Sequence, residues 1–324
     1  MEQRKLGPGP LVGAIGFGCM GMSEFYGATD DEQSLATLEH AFAAGVTLFD
    51  TADIYGFGHN ESLVGRFIRG KRDRVVIATK AGIVRSKEDP ALRGVDNSPS
   101  YLRQHCESSL ARLGTDFVDL YYLHRIDPAT PLEDSIGTLA TLKSAGKIRG
   151  IGLSNVKLDT VRQAHRIHPI TAVQNEFSLF TRDDQSTLIP ALRDMGIAYV
   201  PYSPLGRGML TGALAPQALP ANDFRRNLPR FADEAMERNA RLVAALQEIA
   251  TARGVTPAQV ALAWVLRQGP DVIPIPGTKR IRFLEENLAA ADITLADEEV
   301  SALQQIFDPQ AVQGQPYADM SFLR

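Results

Sequence analysis

Three short apolar runs in this 324-residue chain end in groups able to handle protons or stabilise charge: LFD closes on Asp50, IATK on Lys80 and LYYLH on His124. A lysine buried beside an aspartate costs free energy unless the pair is fully hydrogen-bonded or put to use. An Asp, a Lys and a His converging on one mouth therefore read as a functional cluster rather than as structural pairing. Other apolar runs end in Ser154 with Asn155, Gln174 with Asn175, Ser203, and Thr278; each of these alone is an ordinary strand-end cap. A different chemistry is offered by AIGFGCMG, whose Gly16, Gly18 and Gly21 spell the G-x-G-x-x-G of dinucleotide pyrophosphate sites. That motif requires a helix starting inside the glycine turn, with its N–H groups aimed at the phosphates. Here the helical period begins only near Leu35, with Thr29, Asp30 and Asp31 supplying a cap and an acidic first turn. The glycines end a strand and open a loop, so the motif does not mark a Rossmann unit.

The elements that must position these groups follow a single rhythm. After the first strand and helix come strand VTLFDTAD, helix NESLVGRFIRG, strand RVVIATKAG, and a helix through SPSYLRQHCESSLARLG capped by Ser98 or Ser100. Strand FVDLYYLHR, helix PLEDSIGTLATLKSAGK, strand IRGIGLSN, helix KLDTVRQAHRI, strand ITAVQNEF and helix DDQSTLIPALRDMG follow. IAYVPYSP is the seventh strand, and DVIPIPGT, after a long insertion and two helices, is the eighth. Continuous apolar strands are buried on both faces, as in a parallel sheet covered by helices. Eight such units predict an α/β fold of the closed (β/α)8 TIM-barrel type, with an open doubly wound sheet as the alternative. No Pro/Gly linker or composition shift divides the chain, so residues 1–324 read as a single domain. EQRKLGPGPLVG is predicted to form an N-terminal β-hairpin, turning at Gly7-Pro8-Gly9, that plugs the barrel floor. In such a barrel the functional groups lie at the C-terminal strand ends and in the long loops after them.

Composition narrows the chemistry. A net charge of −4 without a basic block argues for a small-molecule partner and against nucleic acid. Two cysteines, Cys19 and Cys106, make no disulfide framework, and the six histidines offer no metal-ligand spacing, which predicts a reduced cytoplasmic protein with no metal. No apolar run approaches the ~20 residues that span a bilayer, and no targeting segment is visible. Nothing in the sequence fixes the oligomeric state.

LFDTADIYG, IATKAG, DLYYLHR, GLSN, VQNEFSLF, PYSPLGRGML and PIPGTKRIRFLEEN together resemble the aldo-keto reductase superfamily, NADPH-dependent barrel enzymes that reduce carbonyls. The resemblance runs in order along essentially the whole chain. It implies a catalytic tetrad of Asp50, Tyr55, Lys80 and His124. A hydride reaching a carbonyl carbon leaves alkoxide charge on oxygen, which a proton donor must meet. Tyr55 would be that donor, with Lys80 lowering its pKa from about 10, Asp50 holding Lys80, and His124 orienting the carbonyl or relaying the proton. In isolation Tyr55 reads as a loop aromatic and His124 as a histidine packed on Tyr121 or Tyr122; the four together do not.

For the cofactor, NADPH, the resemblance implies Ser154, Asn155 and Gln174 on the nicotinamide carboxamide, Tyr202 stacked on the ring, and Gly18, Cys19 and Met20 beside the ribose. Ser203, Leu205, Gly206 and Gly208 would pass backbone around the pyrophosphate. Gly277 and Thr278 would hold phosphate at a helix start, with Lys279, Arg280 or Arg282 on the 2′-phosphate and Glu286 and Asn287 on adenine. Met20, Phe283 and Pro316 depart from the residues common in that superfamily. The insertion from TGALAPQ to AMERN is a candidate lid, and its Arg225, Arg226 and Arg230 read as loop anchors. Two alternatives to carbonyl reduction stay open: a cofactor-binding sensor or regulatory protein of the same superfamily, and a lyase or aldolase using Lys80 as a Schiff base. A short-chain dehydrogenase would need a Y-x-x-x-K pair, which is absent.

Overall fold

The computed structural model describes residues 1–89, 92–214, 219 and 223–321. An antiparallel hairpin of β1 (Gln3–Lys5) and β2 (Leu11–Gly13) opens the chain. It turns through Gly7 at φ 56°, where a side chain would strike the carbonyl of Thr171. Leu6 and Val12 pack in one cluster with Leu48, Val76, Leu120, Ala172, Ala198 and Ile273, so the hairpin closes the floor of the barrel as its sequence predicts.

The barrel staves begin with β3 (Phe17–Gly18), β4 (Leu48–Asp50) and β5 (Val76–Ala81). An antiparallel ribbon of β6 (Ile83–Arg85) and β7 (Arg93–Val95) stands above the sheet. The staves continue with β8 (Val118–Leu123), β9 (Ile148–Ser154), β10 (Ala172–Gln174) and β11 (Ala198–Tyr199). Together they form a seven-stranded parallel sheet in the order β11-β10-β9-β8-β5-β4-β3.

DVIPIPGT corrects the expectation of eight regular strands. The N–H groups of Ile273 and Ile275 donate to Tyr199 and Pro201 at 2.9 and 3.1 Å, while the carbonyls of Pro274 and Pro276 accept from Gly16 and Gly18 at 2.9 and 3.4 Å. Pro274 and Pro276 have no N–H to return toward β3, so only half of that ladder can form, although the segment is bonded on both sides and closes the ring. A Cβ on Gly18 would lie 2.7 Å from the Ile275 carbonyl, so glycine there lets the first and eighth staves meet.

The surrounding helices are α1 (Asp31–Ala43), α2 (His59–Phe67), α3 (Pro99–Leu113), α4 (Leu132–Ser144), α5 (Leu158–Ile167), α6 (Leu188–Asp194), α7 (Asp233–Ala252), α8 (Pro257–Leu266), α9 (Ile281–Ala289) and α10 (Asp297–Ile306). Asp30 caps α1 through the N–H of Gln33, and of the two serines offered for α3 it is Ser98 that caps, with Pro99 in the first turn. The sixth helix is shorter than its pattern predicts because Pro190 fits only in a first turn, which forces the start to Leu188. Alternation along the strands separates two cores: Tyr122 and Ala78 face the barrel interior, whereas Tyr121, Ile77 and Phe49 face the helices. The same alternation carries Asp50 and Lys80 to the interior at the C-terminal mouth. Among the described residues no helix is long and apolar enough to cross a membrane, and no group of acidic, His and Cys side chains is arranged to hold a metal.

Candidate active site

Asp50 and Lys80 stand on adjacent strands, β4 and β5, and Lys80 is completely buried. Its ammonium donates to the Asp50 carboxylate, to the Thr51 carbonyl at 2.8 Å, and toward the Tyr55 hydroxyl at 3.4 Å. The second Asp50 oxygen accepts from Gln174 Nε2 at 2.7 Å, so both carboxylate oxygens are engaged. His124, at the end of β8, meets the Tyr55 ring edge-on with centroids 5.8 Å apart. Its Nδ1 is buried without a partner among the described residues. The four residues are thus brought together, and His124 packs on Tyr55 rather than on the tyrosines preceding it.

Electrostatics at the mouth differ from the expectation in one respect. The Tyr55 phenol is pushed well above its ordinary value, first by loss of water and then by the Asp50 carboxylate. The positive charge of Arg125 acts in the opposite direction, but burial is the larger influence here. Burial likewise raises the Asp50 carboxyl, with Lys80 as the main opposing influence. His124 is held well below the ordinary imidazole value by burial and by the positive charges of Lys80, Arg125 and Arg85. At neutral pH the mouth therefore presents a protonated phenol and a neutral imidazole, two hydrogen-bond donors suited to an oxygen on which negative charge develops.

Beside this cluster, Asn155 Nδ2 donates to Ser154 Oγ at 2.7 Å, and Tyr202 OH donates to Asn155 Oδ1 at 2.7 Å. Asn155 and Ser203 have φ of 58° and 50°, uncommon for non-glycine residues and in keeping with a shaped binding surface. The turn after β11 continues through Gly206, Arg207 and Gly208, all at positive φ. The N–H groups of Gly206 and Gly208 are taken up inside the turn by the Ser203 and Leu205 carbonyls at 2.9 and 3.0 Å, which holds its tight shape. Arg207 is buried, donating to Glu176 at 2.6 Å and to the Pro316 carbonyl at 2.7 Å, which ties the C-terminal tail over this turn.

Across the mouth, α9 begins with no side-chain cap and no acid in its first turn. Arg280 and Arg282 are exposed there, whereas the Lys279 ammonium is engaged by the carbonyls of Tyr26 and Ala28. Thr278 is half-buried, Asn287 is buried, and Glu286 is half-buried. The Cys19 thiol lies in the outer core and is pushed up by burial, while its N–H donates to the Asp50 carbonyl at 2.8 Å; Met20 is half-buried. In the insertion, Arg225 donates to Asp223 and to the Arg207 carbonyl at 3.0 Å, Arg226 to the Leu219 carbonyl, and Arg230 to Gly314 and Thr181. All three are loop anchors. Residues 215–218 and 220–222 of the insertion lie outside the described residues.

Sequence reasoning missed Asn60, a fully buried hub that accepts from Thr51 Oγ1 at 2.7 Å and donates to the Cys19 carbonyl and to Ser23 Oγ at 2.8 and 2.7 Å. A signal existed: Asn60 shares a helical face with Leu63, Val64 and Phe67, and a polar residue there must be hydrogen-bonded.

The sequence profile of the Aldo/keto reductase family matches residues 14–308. The chain belongs to the aldo/keto reductase family. Among its relatives, "Aldo-keto reductase yakc [NADP(+)]" of Schizosaccharomyces pombe is 43% identical over 320 residues, covering 97% of this chain and 94% of the relative. The glycerol dehydrogenase AKR11B4 from Gluconobacter oxydans superposes with a TM-score of 0.86 at 28% identity, over 95% of this chain and 96% of that one. An aldo/keto reductase from Klebsiella pneumoniae, solved with NADP and acetate, gives 0.74 at 30% identity, with the same coverage. This aldo/keto reductase family member thus has the family's barrel together with an acid–base cluster at its mouth, the arrangement of an oxidoreductase.

Proposed function

We propose that the chain, acting as one unit over residues 1–324, reduces aldehydes or ketones to alcohols using NADPH, with Tyr55 as proton donor. The observation carrying this reading is the hydrogen-bonded run from Gln174 through Asp50 and Lys80 to Tyr55, set against the neutral ring of His124. NADPH, when bound, supplies the hydride. The chain's part is to hold the carbonyl oxygen between Tyr55 OH and His124 and to deliver the phenolic proton as charge builds on that oxygen. Lys80, held by Asp50, orients the phenol.

The residues present fit the cofactor. An uncapped helix N-terminus with arginines in place of acids opposes its own dipole unless an anion sits there, which supports a phosphate at Thr278 and the start of α9. Ser154 accepts from Asn155 and so keeps its own O–H to donate outward, which supports a carboxamide oxygen beside it. The turn from Ser203 to Gly208, with glycines at positive φ, would let the backbone come close to the pyrophosphate. Lys80 as a Schiff base is disfavoured, because its buried ammonium already faces Asp50, Thr51 and Tyr55 and has no open approach.

The direct test is NADPH consumption against aldehydes, ketones and dicarbonyls, with aldehydes expected to be fastest because the less substituted carbonyl is easier to admit and attack. Tight NADPH binding with no consumption for any carbonyl would favour a binding protein of this family instead. For the 2′-phosphate, replacing Arg280 and Arg282 together by alanine is expected to weaken NADPH binding roughly tenfold or more while leaving NADH binding nearly unchanged, since a charge-assisted hydrogen bond contributes about 1.5–3 kcal/mol. Lys279→Ala should discriminate less between the two cofactors, because its ammonium serves the loop carbonyls at Tyr26 and Ala28. Equal losses for NADPH and NADH in the double-arginine variant would remove the phosphate from α9.

A further inference from the structure

The backbone immediately after Tyr55 is under strain. Gly56, Phe57 and Gly58 follow one another at φ 56°, 56° and 88°, and Phe57 is a bulky residue in a region that disfavours it. A turn of this kind persists only where its surroundings over-determine it. Two residues before Tyr55, the side chain of Asp53 points out of the barrel toward α3 and is only 3% exposed. It accepts from His105 Nδ1 at 2.7 Å. His105 in turn is stacked on Tyr101, one helical turn earlier, with ring centroids 3.8 Å apart and planes within 15°. Tyr101 OH reaches the Ile83 carbonyl at 3.3 Å, so the same face of α3 also grips the chain just past β5. On its other side Asp53 is joined to the lysine strand, its N–H donating to the Lys80 carbonyl at 3.1 Å.

The Tyr55 hydroxyl stands 3.4 Å from Lys80, near the outer limit of a hydrogen bond, so a small shift of this turn would break that contact. We infer that His105, through Asp53 and on the platform of Tyr101, is a positioning residue that holds the Tyr55 turn against its own strain. The inference rests on Tyr55 acting as the proton donor. His105 lies on the helix side of the sheet, where its contacts are Asp53 and Tyr101, so its effect on the phenol would pass through the loop.

The test uses the full-length enzyme in single-turnover hydride transfer at saturating NADPH. His105→Phe keeps a ring on Tyr101 but removes the donor to Asp53; His105→Asn keeps a donor. Hydride transfer is expected to fall about tenfold or more in His105→Phe, as misplacement of a reacting group does, with the NADPH Kd unchanged and with recovery to within about threefold of wild type in His105→Asn. In a Tyr55→Phe background, His105→Phe should have no further effect. Wild-type hydride transfer in His105→Phe would overturn the inference, as would equal losses in His105→Phe and His105→Asn. A full His105→Phe effect persisting in the Tyr55→Phe background would also overturn it, since the histidine would then act on something other than the phenol. A Tyr55→Phe enzyme that itself transfers hydride at the wild-type rate would instead remove the donor role on which the inference stands.

Discussion

Tyr55→Phe is expected to slow single-turnover hydride transfer by a factor on the order of 10²–10⁴, the scale of a positioned acid–base group, while NADPH binds nearly as it does to wild type. The substitution removes one hydroxyl that, among the described residues, makes a single side-chain hydrogen bond, the 3.4 Å contact with Lys80, so fold and cofactor surface should stay intact. Because burial and Asp50 raise the phenol well above its ordinary value, it stays protonated through neutral and mildly alkaline pH. The reductive rate of wild type should accordingly show no loss as pH rises from about 6 to about 9, a pKa near the working range being the condition for such a loss. If Tyr55→Phe transfers hydride at the wild-type rate and His124→Ala abolishes transfer, the imidazole is the donor and the role given to Tyr55 is wrong.

Lys80→Met is expected to do two things at once. It strands the Asp50 carboxylate in the barrel mouth, and removing one partner of a buried pair costs about 3–5 kcal/mol, which denaturant unfolding would read directly. It also removes the group that faces the phenol, so hydride transfer should fall with it. The two effects separate in the double variant Asp50→Asn/Lys80→Met, where no charge is left unpaired: stability should largely return while hydride transfer does not. The pH dependence has a definite sign. Burial already raises the Asp50 carboxyl, and Lys80 is the main influence holding it down, so its folded value rises further in Lys80→Met. A carboxyl raised in the folded state binds its proton there before it does in the unfolded chain, and the stability deficit of Lys80→Met should therefore shrink as pH falls toward the ordinary carboxylate range. A deficit independent of pH, or no deficit at all, would mean that the pair is not the buried ion pair described.

Much of the molecule was determined by the sequence alone, because local patterning and backbone chemistry act over a few residues. Apolar runs buried on both faces dictated parallel strands, Asp30 and Ser98 dictated where α1 and α3 begin, and the Gly7-Pro8-Gly9 turn dictated the floor hairpin. Asp50, Lys80 and His124 were legible because strand ends in such a barrel share one mouth; Tyr55 became legible only through resemblance, since nothing local distinguishes it from any loop aromatic.

The tertiary structure decided what depends on neighbours distant along the chain. That DVIPIPGT is a half-bonded stave was settled by which side its prolines face. That the phenol is raised follows from its burial and from the Asp50 carboxylate beside it, neither of which the local sequence displays. That Lys279 clasps the Tyr26 and Ala28 carbonyls, that Asn60 on α2 joins the loops after β3 and β4, and that His105 on α3 reaches Asp53 are facts of packing between segments that the chain brings together only when the barrel closes. Periodicity reports which face of an element is buried; it carries no information on which distant polar atom waits on the other side, and hydrogen bonds and pKa values are set by that atom.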